Sequence, residues 1–251
     1  MYCLMWLGSA KKISSNMKKN YSLCKVLNVV MWFIIAFFMF PNYAQAQGSR
    51  EYIRNVIRER GQCRNVAITR YGGDIMLYGR NGYAYKNIPS ELASKIQQLH
   101  DESKLIDDIQ LTENGRWIIL IDNNGAAWNN IPYELERKVR EYNNKGEVIT
   151  SIAMNDNGEW VVVGTTIYAT SSSAITEWLK EGMESYGQLW TVHMTDDGIV
   201  AVYERGFKYY GEVPYSLKSA LQEVKFDVYR LKFAGTAWFI ADKSGNYRYN
   251  M

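Results

Sequence analysis

The sequence predicts a mainly β protein with helices, in which five repeats of about 41 residues close into a ring. Three observations predict this fold class. Proline occurs at positions 89, 132 and 214, and the separations of 43 and 82 residues correspond to one and two periods. Turns that contain glycine separate apolar segments at the same period. The 205 residues that follow the N-terminal segment hold five such periods.

The N-terminal segment, residues 1–46, is predicted to be a secretory signal peptide. It contains five lysines and no acidic residue, an apolar run over residues 26–40, and the small-residue site Ala44-Gln45-Ala46, which are the three parts of such a signal. The apolar run is shorter than the roughly 20 residues that span a bilayer. We expect cleavage after Ala46, with Met17 as the true start, and export to the periplasm, the cell surface or the extracellular space. The alternative is an uncleaved N-terminal anchor.

Residues 47–251 are predicted to form a single repeat domain that opens with a helix. The segment from Ser49 to Arg60 carries apolar residues at the spacing of one helical face, namely Tyr52, Ile53, Val56 and Ile57. This helix precedes the first repeat and has no strands of its own.

Each repeat is predicted to contain three strands joined as an antiparallel meander. In the second repeat, Ile109–Leu111 leads through Asn114-Gly115 to Trp117–Ile121, and a turn at Gly125 leads to a third strand. Glycine turns between β-rich segments are a strong hairpin signal. The corresponding turn glycines of the five repeats are Gly73, Gly115, Gly158, Gly198 and Gly235.

A helix is predicted after the third strand of the first four repeats. Pro89 is followed by Leu92, Ile96 and Leu99, and steps of three and four residues place these side chains on one face. Pro132 and Pro214 begin the same pattern. The third repeat has no proline there, and Ser171-Ser172-Ser173 supplies the N-cap before Ile175, Trp178 and Leu179.

The chain ends predict how the ring closes. The fifth meander stops near Tyr249 with no helix after it, while the opening helix has no meander. We expect the opening helix to pack against the fifth repeat and to fasten the ring as a latch, which leaves no exposed sheet edge. The alternative is an open α+β array, in which helices cover one face of a curved sheet.

The hairpins Asn114-Gly115-Arg116-Trp117 and Asn157-Gly158-Glu159-Trp160 resemble the Asp-Gly-Trp hairpins of the β-propeller repeat families. The resemblance covers nearly all of residues 62–250 and implies a propeller-like ring. It departs from those families in having three strands and a helix where a blade has four strands, and it lacks the Gly-His and Trp-Asp pairs of WD40 repeats. It identifies no specific family and implies an architecture without an activity.

Charge and cysteine content change when the leader is set aside. The formal charge of +3 includes the five leader lysines, so the remaining chain has 24 basic and 26 acidic residues and a formal charge of −2. We therefore expect no nucleic-acid partner, and membrane contact only through an uncleaved leader. Cys63 is the one cysteine after the leader, so no intramolecular disulfide is predicted there, and the thiol is expected to be buried.

No catalytic, cofactor or metal site is predicted, and we expect a protein that is not an enzyme. His100 and His193 lie in different repeats without other metal ligands at a suitable spacing, and both are interpreted as structural. Four aspartates occupy turn positions, where turn chemistry accounts for them: Asp122, Asp156, Asp196 and Asp197.

Aromatic residues recur on the third strand of every repeat and form the candidate ligand-binding site. They are Tyr85, Trp128, Tyr168, Tyr209 and Tyr249, with Tyr247 as the alternative in the last repeat. Repetition around a ring predicts stacking platforms on one face, suited to sugars or peptides. The alternative interpretation is that these rings fill the layers between neighbouring meanders.

The function predicted from these features is an exported, non-enzymatic module that binds a protein or a glycan through one face of the ring. The alternative is a structural or assembly module of a cell-envelope complex. A third hypothesis, a hydrolase, requires a pair of carboxylates at the centre of the ring.

Overall fold

The computed structural model describes residues 45–251, which form one compact unit. Most of the predicted signal peptide, with Met17, lies outside the described residues. Its last two residues, 45 and 46, already belong to a helix, and Ala46 is buried. None of the helices in residues 45–251 combines the length and hydropathy needed to cross a bilayer.

Five three-stranded antiparallel sheets are present, one in each repeat, and each has its strands in sequence order. Repeat 1 contains β1 (Cys63–Ile68), β2 (Asp74–Tyr78) and β3 (Gly82–Lys86). Repeat 2 contains β4 (Ile106–Leu111), β5 (Trp117–Ile121) and β6 (Gly125–Asn129). Repeat 3 contains β7 (Ile149–Met154), β8 (Trp160–Gly164) and β9 (Tyr168–Thr170). Repeat 4 contains β10 (Leu189–Met194), β11 (Gly198–Tyr203) and β12 (Gly206–Gly211), and repeat 5 contains β13 (Arg230–Ala234), β14 (Ala237–Ala241) and β15 (Tyr247–Asn250).

One helix precedes the first sheet, and one helix follows each of the first four sheets. They are α1 (45–60), α2 (Ser90–Asp101), α3 (Tyr133–Asn144), α4 (Ser173–Tyr186) and α5 (Tyr215–Glu223). The predicted proline starts are confirmed, because Pro89, Pro132 and Pro214 are the N-cap residues of α2, α3 and α5. Helix α4 is capped by Ser172, whose hydroxyl accepts a hydrogen bond from the backbone N–H of Ile175.

The first strands of the five repeats lie innermost and contact one another in cyclic order. Strand β1 contacts β4, β4 contacts β7, β7 contacts β10 and β10 contacts β13. The last repeat then returns to the first, since both β13 and β14 contact β1. The predicted closed ring of five meanders is therefore present, with a helix after each of the first four and none after the fifth.

The hydrophobic core consists of five clusters, one at each junction between neighbouring sheets, and every cluster contains one helix. Helix α1 occupies the junction between repeats 5 and 1, where Ile53 and Ile57 pack against Met76 and Phe239. Fully burying such side chains contributes about 1.5–3 kcal/mol each. The predicted latch is confirmed: α1 takes the place of the helix that repeat 5 lacks.

Polar contacts fix the start of the latch. The Arg50 guanidinium donates to the Asp74 carboxylate and to the carbonyl of Thr69, and both charged side chains are buried. The backbone of Ala46 lies so close to Gly72 that a Cβ there would come within 2.5 Å of the Ala46 Cα. Gly72, with a φ of +87°, occupies the turn position of Gly115 and Gly158, so it is Gly72 and not the predicted Gly73 that corresponds to these two turn glycines.

Candidate functional site

The predicted aromatic site residues do not all share one position of the repeat. Tyr85, Trp128 and Tyr209 pair with equivalent residues of the second strand, namely Ile75, Ile118 and Val200. Tyr249 has the same position, opposite Phe239, whereas Tyr168 lies two residues earlier along its strand, opposite Val163. Because side chains alternate along a strand with a period of two, all five still point to the same side of their sheets.

These five aromatics lie at five different junctions of the ring. Trp128 packs partly against the cluster around α3, with the Arg140 guanidinium 4.8 Å from its ring centre. Tyr168 and Tyr249 pack against the clusters around α4 and α1. Tyr85 and Tyr209 are 39% and 47% exposed, and Lys218 Nζ lies 4.6 Å from the Tyr209 ring centre. The structure does not bring the five rings into one surface, and their role in binding stays a prediction.

The centre of the ring holds a polar layer that the sequence reading missed. The first strands of repeats 1 to 4 each place a buried polar side chain at the same position, and these are Asn65, Asp108, Ser151 and Thr191; at the position two residues further along the strand, Gln110, His193 and Lys232 are also buried. In the first four repeats a register shift directly precedes this position, and a bulge of this kind re-aims the side chain that follows it. The signal was a polar residue recurring at spacings of 43, 43 and 40 in the first strands of repeats 1 to 4.

Asp108 and Lys232 form a buried ion pair in this layer, with 2.8 Å between the carboxylate and Nζ. Asp108 also accepts hydrogen bonds from Asn65 Nδ2 at 2.7 Å and from the backbone N–H of Ile109 at 2.9 Å. Burial acts to raise the pKa of Asp108, but Lys232 and the other donors outweigh it and hold that pKa below its usual value. Burial lowers the pKa of Lys232. The pair links repeat 2 to repeat 5.

His193 lies next to this layer and has a structural environment, as expected. Its Nε2 donates to the carbonyl of Phe233 at 2.9 Å, and its Nδ1 is buried with no partner among residues 45–251. Burial and the nearby Lys232 lower the pKa of His193 to about 3, so the ring is neutral at physiological pH. His100 is exposed, and its Nδ1 lies 2.9 Å from the carbonyl of Asn81.

One end of the ring, which we call the turn face, carries the turns between first and second strands and the N-termini of α2 to α5. Turn carboxylates here accept backbone hydrogen bonds from the preceding repeat. Asp156 accepts from the N–H of Asn114 at 3.2 Å, and Asp196 accepts from that of Asp156 at 2.9 Å. The pair Arg70–Asp197 joins repeats 1 and 4. Asp122 lies in a different turn and accepts from the N–H of Leu105. The interpretation of these aspartates as turn residues agrees with these contacts.

Four tyrosines are exposed on the turn face, in positions other than the predicted ones. Tyr71 lies in the turn after β1, Tyr133 and Tyr215 are the first residues of α3 and α5, and Tyr210 lies near the end of β12. Tyr210 and Tyr215 are 74% and 81% exposed. Exposed tyrosines of this kind are enriched in binding surfaces because they combine a large apolar area with a hydroxyl.

A cavity of about 410 Å³ opens on the same face between repeats 3 and 4, a volume within the range of ligand pockets. Ile175 and Trp178 of α4 and Met194 of β10 form apolar walls. Glu159 and Tyr210 line it with polar groups, and the remaining lining residues are Asn155, Ser172, Ala174, Thr195, Asp196, Asp197, Gly198 and Ile199.

The cavity lies where repeat 3 departs from the other repeats. Trp117 pairs with Asn129, and two more residues, Asn130 and Ile131, separate that position from the helix cap in repeat 2. In repeat 3 the backbone of Trp160 bonds to Ser171, and the cap follows at once. The connection is thus two residues shorter and lacks the apolar residue that packs against the core in repeats 1, 2 and 4, which is Ile88, Ile131 or Val213.

The described residues contain no group of three or more histidine, cysteine, aspartate or glutamate side chains arranged to hold a metal ion. The hydrolase hypothesis requires two carboxylates at the ring centre. Within residues 45–251, the polar layer holds one carboxylate, Asp108, which is paired with Lys232.

No protein-family model matches the chain, and no curated protein matches it. Among solved structures it is similar to the crystal structure of the C-terminal domain of gp131 from bacteriophage phiKZ, with 11% sequence identity and a TM-score of 0.34. The match covers 66% of this chain and 56% of that one, so the chain spans little more than half the length of that structure. A similarity at this level supports no inference about fold or function.

Proposed function

We propose that the chain is an exported, non-enzymatic binding module that binds a partner protein through the turn face. The observation that carries this proposal is that the exposed tyrosines and the cavity occur on the same end of the ring. The core of protein interfaces is enriched in tyrosine and tryptophan, and hot spots on one partner fit into pockets on the other. The Trp178–Tyr210 cavity is such a pocket, and Tyr215 is such an exposed ring.

The rigidity of the ring supports this proposal. Turns of this face are braced by hydrogen bonds from one repeat to the next, such as those from the N–H of Tyr71 to Glu113 and from the N–H of Asn114 to Asp156. A preorganised surface loses little conformational entropy when it binds. The fold therefore favours recognition by a fixed surface.

The test compares binding by the unchanged chain with that of a turn-face variant carrying Tyr210→Ser and Tyr215→Ser. Proteins captured by the unchanged chain are identified, and the affinity of each is then measured with purified components; a glycan array is screened in parallel. We expect the variant to bind the partner at least about 30-fold more weakly, the loss typical of one hot spot.

A matched control separates the turn face from the sites predicted by sequence. Tyr85→Ser removes one exposed tyrosine from a third strand and leaves the turn-face rings in place. Equal losses in Tyr85→Ser and in the turn-face variant would contradict the assignment of this surface. If a glycan binds the unchanged chain but not the turn-face variant, the turn face would remain the proposed binding surface, and the partner would be a glycan instead of a protein.

A further inference from the structure

The cavity between repeats 3 and 4 has two chemically distinct parts. Its walls are apolar, formed by Ile175, Trp178 and Met194, whereas Glu159, Asp196 and Asp197 bring carboxylates to its lining. A ligand that fits both parts has an aliphatic or planar stem and a positively charged end. Long basic side chains have this character, since lysine and arginine bury their methylene stems against apolar surface while the charged end stays in water.

Two of these carboxylates retain unused acceptor atoms. Asp196 accepts its backbone bonds through Oδ1, and Glu159 accepts from Asn155 Nδ2 through Oε2. Within residues 45–251, the second oxygen of each carboxylate accepts no hydrogen bond, whereas Asp197 is paired with Arg70. Glu159 and Asp196 thus leave two acceptors for a donor that enters the cavity.

The indole of Trp178 already lies close to one cation. Lys208 Nζ is 5.1 Å from its ring centre and is held there by the carbonyl of Trp178 and by Glu181. A cation near an aromatic ring is attracted by the negative potential of the ring face, most strongly for tryptophan. The same ring lines the cavity.

We propose that this cavity binds an arginine or lysine side chain of the partner protein. The inference rests on the proposed function and adds the chemistry of recognition to it. The side-chain stem packs between Trp178 and Ile175, and the charged group donates to Glu159 and Asp196. Arginine fits best, because its planar guanidinium stacks on aromatic rings and donates to two carboxylates at once.

The first experiment uses small probes on the full chain. N-acetyl-arginine methylamide is compared with N-acetyl-norleucine methylamide, which keeps the aliphatic stem without the charge, and with N-acetylglucosamine as a sugar probe. Binding is followed by the NMR signal of the Trp178 indole N–H, assigned with Trp178→Phe. We expect the arginine probe to shift this signal saturably and to bind about three- to fivefold more tightly than the norleucine probe, as one partly exposed ion pair allows.

Charge-removing variants test the carboxylates. Glu159→Gln combined with Asp196→Asn retains a carbonyl oxygen at each position, so the backbone bonds to Asp196 are kept. The matched control is Glu134→Gln with Glu136→Gln, which removes one exposed and one partly exposed charge from the start of α3 without altering the residues that line the cavity. We expect the first variant to abolish the preference for arginine and the control to retain most of it. Unchanged circular dichroism establishes that both variants fold.

The possible results distinguish failure of the basic-side-chain proposal from failure of the proposed function. Equal binding of the arginine and norleucine probes, stronger binding of the sugar, or equal effects of the two double variants would each overturn the basic-side-chain assignment. Loss of partner binding in the Tyr210 and Tyr215 variant, together with failure of the arginine probe, would leave the proposed function in place and refute only this inference. Absence of any partner for the turn face would refute the proposed function itself.

Discussion

The buried ion pair at the ring centre gives the sharpest prediction on stability. The side chains of Lys232 and Asp108 are 3% and 4% exposed, so water and salt screen their charges little. Replacing Lys232 with methionine keeps most of the stem and leaves the Asp108 carboxylate buried without its cation. Breaking a buried pair in this way costs about 3–5 kcal/mol, because the remaining charge is uncompensated.

The assay is equilibrium unfolding in urea, followed by circular dichroism and analysed by linear extrapolation. The matched variant combines Lys232→Met with Asp108→Asn, which removes both charges and keeps an oxygen to accept from the N–H of Ile109. We expect the double variant to recover at least half of the loss, since a neutral centre has no charge to solvate. A cost below about 1 kcal/mol for Lys232→Met, the value of an exposed pair, would refute the reasoning. So would a double variant as unstable as the single one.

Three further predictions concern the latch, the central histidine and the buried thiol. Ile53→Ala should lower the free energy of unfolding by about 2–5 kcal/mol, and Tyr52→Ala on the exposed side of α1 by about 0.5 kcal/mol or less; equal costs in urea unfolding would contradict the latch. The pKa of His193 is lowered to about 3 in the fold, against about 6.5 in the unfolded chain. The contribution of neutral His193 to the free energy of unfolding is therefore fully present above pH 6.5. It is lost as the pH falls, by up to about 1.4 kcal/mol per pH unit. His193→Gln should flatten this slope in unfolding curves measured between pH 7 and pH 4.5, and identical slopes would contradict it. Burial raises the pKa of the Cys63 thiol to about 12, so a thiol reagent should label Cys63, mapped by mass spectrometry, only after unfolding; labelling of the native chain would show that the site opens.

The repeat architecture was predictable because local signals agreed with one another. Proline at the helix cap fixes a backbone angle that suits the first turn, and Pro89, Pro132 and Pro214 mark three helix starts without any knowledge of the tertiary structure. The surplus helix at the start and the missing helix at the end also predicted the latch, because each junction needs one helix to fill it. The latch could be predicted from the number of helices and meanders alone.

Register and the central layer were not predictable by the same means. The sequence pattern aligned Tyr168 with Trp128, but strand pairing places Thr170 opposite the residue equivalent to the partner of Trp128. A shift of two residues along a strand leaves the side chain on the same side of the sheet, so the alternation of side chains in the sequence does not reveal the shift. The central residues were overlooked because a bulge, which pattern reasoning does not locate, turns Asp108 and its equivalents inward.

The candidate site could not be predicted from the sequence for a related reason. Its tyrosines do not occupy one repeated strand position: Tyr133 and Tyr215 each follow a helix-cap proline, whereas Tyr210 lies near the end of a third strand. These tyrosines lie on one face because an antiparallel meander places the end of its first strand and the end of its third strand at the same end of the ring.

Repeat 5 and repeat 3 each depart from the pattern of the other repeats, and only the departure in repeat 5 is compensated by packing elsewhere in the fold. Repeat 5 lacks a helix, and α1 fills that junction with its own apolar residues, so this departure is compensated. Repeat 3 lacks the apolar residue that Val213 supplies at the equivalent place in repeat 4, where it is buried. Burial of such a residue is worth about 1.5–3 kcal/mol, yet a cavity lined by Trp178 takes its place. In repeats 1, 2 and 4 an apolar residue packs at this place, and the proposed basic side chain would bury its stem where repeat 3 has no such residue.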